Sequence, residues 1–147
     1  MKVKYYDLEN KRVFVTGGGS GIGASIVEHF CEQGSEVYFI DINVSESEKL
    51  IEEIKNKKYS IPTFIECDLL NIKQLQKIIA DIIDQKGPIN ILINNAANDT
   101  RHKIDDVTEE YWNERINVNL RHFFFTVQSV KKSMIDNGGG AIINMGS

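Results

Sequence analysis

Thr16-Gly17-Gly18-Gly19-Ser20-Gly21-Ile22-Gly23 is the stretch whose reading decides the fold. Residues 11–16 (KRVFVT) precede and overlap it; they are short and β-branched and predict a strand. Ile22, Ile26, Val27 and Phe30 follow at helical spacing, and Gly34 suits the end of that helix. A glycine-rich turn between a strand and a helix is where a pyrophosphate approaches the backbone closely. A Cβ would block that approach, and the helix N-terminus offers free N–H groups and a partial positive charge. Gly17, Gly19, Ser20, Gly21, Ile22 and Gly23 are therefore candidate phosphate-binding residues.

Outward from this loop, strands and helices alternate. Residues 37–40 (VYFI) predict a second strand and residues 45–58 a charged helix with Leu50, Ile51 and Ile54 on one face. Residues 63–66 predict a third strand, and Ile72, Leu75, Ile79 and Ile82 an amphipathic helix closed by Gly87-Pro88. Residues 89–93 (INILI) form a fourth predicted strand. A polar loop and one long helix, from about residue 108 to 136, come next, then a fifth strand at residues 141–145. Strictly alternating elements with near-continuous apolar strands imply an α/β domain with a parallel sheet buried on both faces. Right-handed crossovers then give a doubly wound sheet of the Rossmann type, with expected strand order 3-2-1-4-5.

The second strand ends at Asp41, 18 residues past Gly23. A carboxylate there accepts hydrogen bonds from adenosine ribose hydroxyls and repels the extra phosphate of NADP. No basic residue follows it directly, since the next residues are Ile42, Asn43 and Val44, so the expected cofactor is NAD.

The 147 residues carry 17 Lys and Arg against 21 Asp and Glu, for a net charge of −4, with 41% hydrophobic and 26% charged residues. This is the composition of an ordinary globular domain of one core. It lacks the basic footprint of a nucleic-acid binder, and no apolar run is long enough for a transmembrane helix. The opening MKVKYYDLENK has no apolar stretch or small-residue cleavage site, so a cytoplasmic location is expected. Cys31 and Cys67 are far apart, and no spacing links His29, His102 and His122, so neither a disulfide framework nor a metal site is expected.

The loop at Thr16, Gly17, Gly21 and Gly23 resembles the Thr-Gly-x-x-x-Gly-x-Gly pattern of the short-chain dehydrogenase/reductase family, and further motifs follow in family order over residues 11–147. The resemblance implies that Asp68, followed by Leu69, faces the adenine amino group. It implies that Asn94-Asn95-Ala96-Ala97 braces the central sheet and bounds the cofactor's ribose, Ala97 standing where Gly is usual. Residues 112–120 (WNERINVNL) resemble the helix carrying a catalytic Asn, here Asn119, which kinks its helix and holds a water of the proton relay. Residues 139–147 resemble the fifth strand ending at the active-site Ser, here Ser147. Asn98 to His102, with Asp106-Val107-Thr108 and Arg121-His122, resemble the sugar 1-dehydrogenase branch, such as D-xylose dehydrogenases. The implied activity is NAD-dependent hydride transfer between an alcohol and a carbonyl, with an aldose oxidised at C1 as one substrate.

Family chemistry also needs a Tyr with a Lys four residues later, the Lys lowering the phenol's pKa. The five tyrosines are followed at that spacing by Glu9, Asn10, Ile42, Thr63 and Arg115. The expectation is therefore a cofactor-binding portion, residues 1–147, ending after the fifth strand and inactive alone. The apolar fifth strand, left as a bare sheet edge, adds to that expectation of a portion, and the helix carrying Phe123, Phe124 and Phe125 resembles those that form subunit interfaces in the family, which implies a homo-oligomer. A 3-oxoacyl-carrier-protein reductase, a non-catalytic NAD-binding module and an oligomerisation module stand as alternatives.

Overall fold

The computed structural model describes residues 3–146. Five parallel strands form one sheet: β1 (Arg12–Thr16), β2 (Glu36–Asp41), β3 (Thr63–Glu66), β4 (Ile91–Asn94) and β5 (Ala141–Asn144), in the order β3-β2-β1-β4-β5. The predicted doubly wound topology is the one observed. Each of the first four strands is followed along the chain by helix: α1 (Gly21–Glu32), α2 (Val44–Asn56), α3 (Ile72–Lys86), and, between β4 and β5, α4 (Glu109–Ile116) and α5 (His122–Asp136).

Side chains alternate across each strand, so the sheet buries two separate apolar layers. Val13, Val15, Val37 and Phe39 pack with Val27 and Cys31 of α1 and Leu50 and Ile54 of α2. Phe14, Tyr38, Ile40 and Leu92 pack on the other face with Leu75, Ile79 and Ile82 of α3 and Val130 and Met134 of α5. Both cysteines belong to these layers, and burial pushes the Cys31 thiol up to about 12 and the Cys67 thiol up to about 11, so they pack as inert core residues.

The register sets the ligand-binding edge. Thr16 pairs with Ile40 and with Asn94, and Asp41 pairs with Glu66, so the residues that end β1, β2, β3 and β4 share one carboxyl edge. β5 lies at the outer edge, exposed at all four of its residues.

Two expectations are corrected. The stretch from residue 108 to 136 is not one α-helix: a π-helical turn at Asn117–Arg121 separates α4 from α5. Its wider ring lets Asn119 turn toward the preceding loop, a distortion that periodicity of apolar residues does not register. The N-terminal residues and the loop after β4 also contain single 3-10 turns, Tyr6–Leu8 and Ile104–Asp106, where no element was expected.

Candidate cofactor site

Four helices begin at this architecture's loops with a good capping residue, and three use it. Asn43 accepts from the Glu46 N–H, Asn71 from Gln74 and Thr108 from Tyr111. Ser20, at the head of α1, makes no side-chain cap bond. The first turn of α1 thus keeps its N–H groups directed at the space in front of the glycine loop.

The loop is compressed to a degree only glycine permits. Gly17 has φ +65°, and a Cβ there would lie 2.7 Å from Ala96 Cα. A Cβ on Gly23 would run into the Gly17 carbonyl oxygen and come within 2.6 Å of Asn95 Nδ2. One on Gly19 would reach 2.5 Å from Ser47 Oγ and 3.0 Å from the Asp41 carboxyl. The Gly17 and Gly18 N–H groups both donate to Ile40 O, at 2.8 and 3.1 Å, which folds the loop back over β2. This cradle, with an uncapped helix N-terminus behind it, fits a diphosphate.

Asp41 stands where β2 ends, half-buried. Its Oδ2 accepts from the Gly19 N–H at 2.9 Å and its Oδ1 from the Asn43 N–H at 2.9 Å. The carboxylate therefore braces the glycine loop and the start of α2 together. Ile42 beside it is exposed. Asp68 is exposed beyond β3, where its Oδ1 accepts from Leu70 N–H at 2.9 Å, and Leu69 is buried beneath it. The chain reaches Asp68 just past the end of β3, which pairs with the end of β2 at Asp41, and Cys67 N–H donates to Asp41 O at 3.1 Å.

The end of β4 is held by side chains. Thr16 Oγ1 accepts from the N–H groups of Asn95 and Ala96, at 3.0 and 3.1 Å, and lies 3.3 Å from His122 Nε2. The hydroxyl's two lone pairs are thereby committed, so its proton goes to Nε2. This assigns the His122 tautomer: Nδ1 carries the proton and donates to Val118 O at 2.7 Å. The imidazole is fully buried, and burial pushes its pKa down to about 4, so it is neutral. Asn95 Nδ2 donates to Thr16 O and Gly17 O, at 3.2 and 2.9 Å. Asn94, fully buried, accepts from Thr126 Oγ1 and donates to Asn144 Oδ1, both at 2.8 Å, tying α5 and β5 to the centre of the sheet.

Asn119, in the π-helical turn, grips both backbone groups of Asn98. Its Oδ1 accepts from the Asn98 N–H at 2.7 Å and its Nδ2 donates to Asn98 O at 3.1 Å. The loop that follows Ala96 and the exposed Ala97 is so anchored directly to the helix pair.

Most residues predicted from sequence thus lie along one edge: Gly17 adjoins Asn95 and Ala96, Gly23 adjoins Asn95, Gly19 adjoins Asp41, and Asp68 and Asn119 follow β3 and β4 at that edge. Ser147 lies outside the described residues. Thr16, Asn94, Asn98 and His122, which entered the sequence reading only as members of motifs, complete the edge through hydrogen bonds that the motifs did not specify. The sequence signal for Thr16 and Asn94 was their place at strand ends and in the glycine and Asn-Asn-Ala-Ala motifs, neither of which names their hydrogen-bond partners. For His122 nothing local distinguishes a buried acceptor from an exposed imidazole. Among the described residues no group of three His, Cys, Asp or Glu side chains comes together as a metal site, and no helix is long and apolar enough to cross a membrane.

Comparison with known proteins matches the geometry. D-xylose 1-dehydrogenase of Caulobacter vibrioides is 48% identical over 143 residues, 97% of this chain and 56% of that protein. "Probable galactose dehydrogenase GalD" of Rhizobium meliloti is 42% identical over 144 residues, 98% of this chain and 56% of its own length. The aldohexose dehydrogenase structure of Thermoplasma acidophilum superposes with a TM-score of 0.82 at 31% identity, covering 97% of this chain and 51% of that one. The chain spans about half the length of the curated relatives it matches. The family model described as short chain dehydrogenase matches residues 11–147, and with the glycine cradle, the strand order and the Asn95 brace in place, this chain belongs to the short-chain dehydrogenase family.

Proposed function

We propose that residues 1–147 form the dinucleotide-binding portion of an NAD-dependent oxidoreductase that interconverts an alcohol and a carbonyl, with an aldose oxidised at C1 as its substrate. The bound nicotinamide supplies or accepts the hydride. The chain's own residues bind and orient it. Gly17, Gly19, Ser20, Gly21, Ile22 and Gly23 take the diphosphate, Asp41 and Ile42 the adenosine ribose, Asp68 and Leu69 the adenine, and Asn95 to Ala97 the ribose next to the nicotinamide. Asn119 and Ser147 serve the proton relay and the reacting oxygen. No Tyr-x-x-x-Lys occurs in these residues, so the 147-residue polypeptide binds the cofactor without turnover. The aldose reading is supported by the two sugar dehydrogenases among the relatives. Exposed Leu120, in the π-helical turn, and Phe124, in α5, support self-association along this helix pair, and the reading places the protein in the cytoplasm, where both buried thiols stay reduced.

The observation that carries the cofactor assignment is Asp41. Its carboxylate lies against Gly19, where the 2′-phosphate of NADP would bring a second negative charge. The test is a fluorescence titration with NADH and NADPH. NADH binds at least about tenfold more tightly in the native chain, and Asp41→Ala narrows or reverses the ratio by weakening NADH and relieving the repulsion. Tighter binding of NADPH to the native chain would overturn the assignment.

A further inference from the structure

We propose that the groove between α4 and the loop of residues 98–107 is a carbohydrate subsite in which Arg115 and Asp99 grip two adjacent hydroxyl groups; this rests on the reading of the chain as part of an aldose dehydrogenase. The groove has a volume of about 550 Å³ and is lined by Asn119, Asp99, Trp112 and Arg115 among others. That volume lies within the usual range for small-molecule sites.

Arg115 is the reason to assign a ligand. Its Nε and Nη1 atoms are buried and have no hydrogen-bond partner, and its guanidinium lies 4.7 Å from the centre of the Tyr111 ring. Its ionic neighbour, Glu114 Oε1, is 3.8 Å from Nη2, beyond hydrogen-bonding distance. Among the described residues the other such atom is Arg121 Nε, but that guanidinium is already held through Nη2 by Leu70 O at 3.0 Å. Two buried donors on a cation are costly to leave unpaired, and a ligand entering the groove satisfies them.

The chemistry of the remaining lining selects the ligand. Asp99 is an exposed carboxylate on the same groove. A simple anion offered to Arg115 meets that charge. A vicinal diol suits both groups: one hydroxyl oxygen accepts from the guanidinium while its neighbour donates to the carboxylate. Trp112, exposed on the groove, provides flat apolar surface for the C–H face of a sugar ring, beside the Tyr111 ring that carries Arg115 and the tilted His102 ring 4.0 Å away.

Trp112 is the single tryptophan of the chain, so its emission reports on this groove alone. The 147-residue protein is titrated with D-xylose, D-galactose and inorganic phosphate, and separately with NADH. The aldoses produce a saturable change in emission, and phosphate does not. Arg115→Met and Asp99→Asn each weaken the aldose response by about tenfold or more, while NADH binding is unchanged. Asp99 is exposed, so its variant keeps the test sound should Arg115→Met fail to fold. NADH binding with a flat aldose titration, or with aldose responses unaltered in both variants, overturns the subsite alone. A response to phosphate in place of the aldoses overturns the diol chemistry. Failure of the native chain to bind NADH overturns the dehydrogenase reading and the subsite with it.

Discussion

Gly23, in the glycine loop, and Asn119, in the π-helical turn, border the same sheet edge and are held by different kinds of constraint. Between Thr16 and Asp41 the backbone itself makes the fit. A Cβ on Gly17 or Gly23 has nowhere to go, and the loop folds onto Ile40 O through two main-chain bonds. From Asn94 to His122 the chain is positioned by side chains: Asn119 holds Asn98, Thr16 holds Asn95 and Ala96, and His122 orients Thr16. The first region is rigid because alternatives are sterically forbidden. The second is ordered because a set of polar groups has been satisfied one by one, and it is the weaker of the two wherever one member can be removed without a clash.

Gly23→Val is the harshest way to break that contrast. It drives a branched side chain into the Gly17 carbonyl, and neither β1 nor α1 has free space to yield. We expect a loss of about 3 kcal/mol or more in chemical denaturation, together with loss of NADH binding. A loss under about 1 kcal/mol would show the loop to be far more adaptable than its contacts imply.

An acid titration tests the side-chain half. His122 is neutral when folded, with its pKa pushed down to about 4, whereas an unfolded histidine titrates near 6.5. Between those values the unfolded chain binds more protons than the folded one. Stability is therefore complete above about pH 6.5 and falls as the pH drops toward 4, by about 2 kcal/mol on reaching pH 5. His122→Gln keeps an acceptor near Thr16 and removes the ionisation, so this limb flattens. An unchanged limb in that variant would assign the acid sensitivity to carboxylates instead.

Asn119→Ala is the mildest. It removes two hydrogen bonds to one residue and costs about 1 kcal/mol, with the effect confined to the loop. Hydrogen exchange at the Asn98 amide accelerates while amides of β1 and β4 stay protected. A global acceleration would mean that this turn supports the whole sheet and not the loop alone.

The first region was far more legible in the sequence than the second. Glycine at Gly17, Gly21 and Gly23 is a visible consequence of backbone geometry, and Asp41 sits at a strand end that periodicity locates. Thr16 and His122, 106 residues apart, carry no such mark. Thr and His are common, each has many places it could point, and only the packing of α5 against β1 and β4 brings them within 3.3 Å. The break of the long helix at Asn117–Arg121 was implied only by the resemblance at Asn119 and not by periodicity, since one extra residue in a turn barely alters the spacing of apolar side chains.

The sequence by itself determined the alternation of strands and helices, the strand order that follows from right-handed crossovers, the glycine cradle, and the acidic end of β2. Each of these is imposed locally, by chain sterics or by burial of every second residue, and so is written in residue type and spacing. Only the tertiary structure decided that Ser20 leaves its helix uncapped, that Asp41 braces Gly19, that the His122 proton resides on Nδ1, and that Arg115, with two buried unpaired donors, lines the same groove as Asp99. Those are outcomes of polar groups meeting across long stretches of chain. Hydrogen-bond satisfaction is settled by what folding brings alongside, not by what stands next in the sequence.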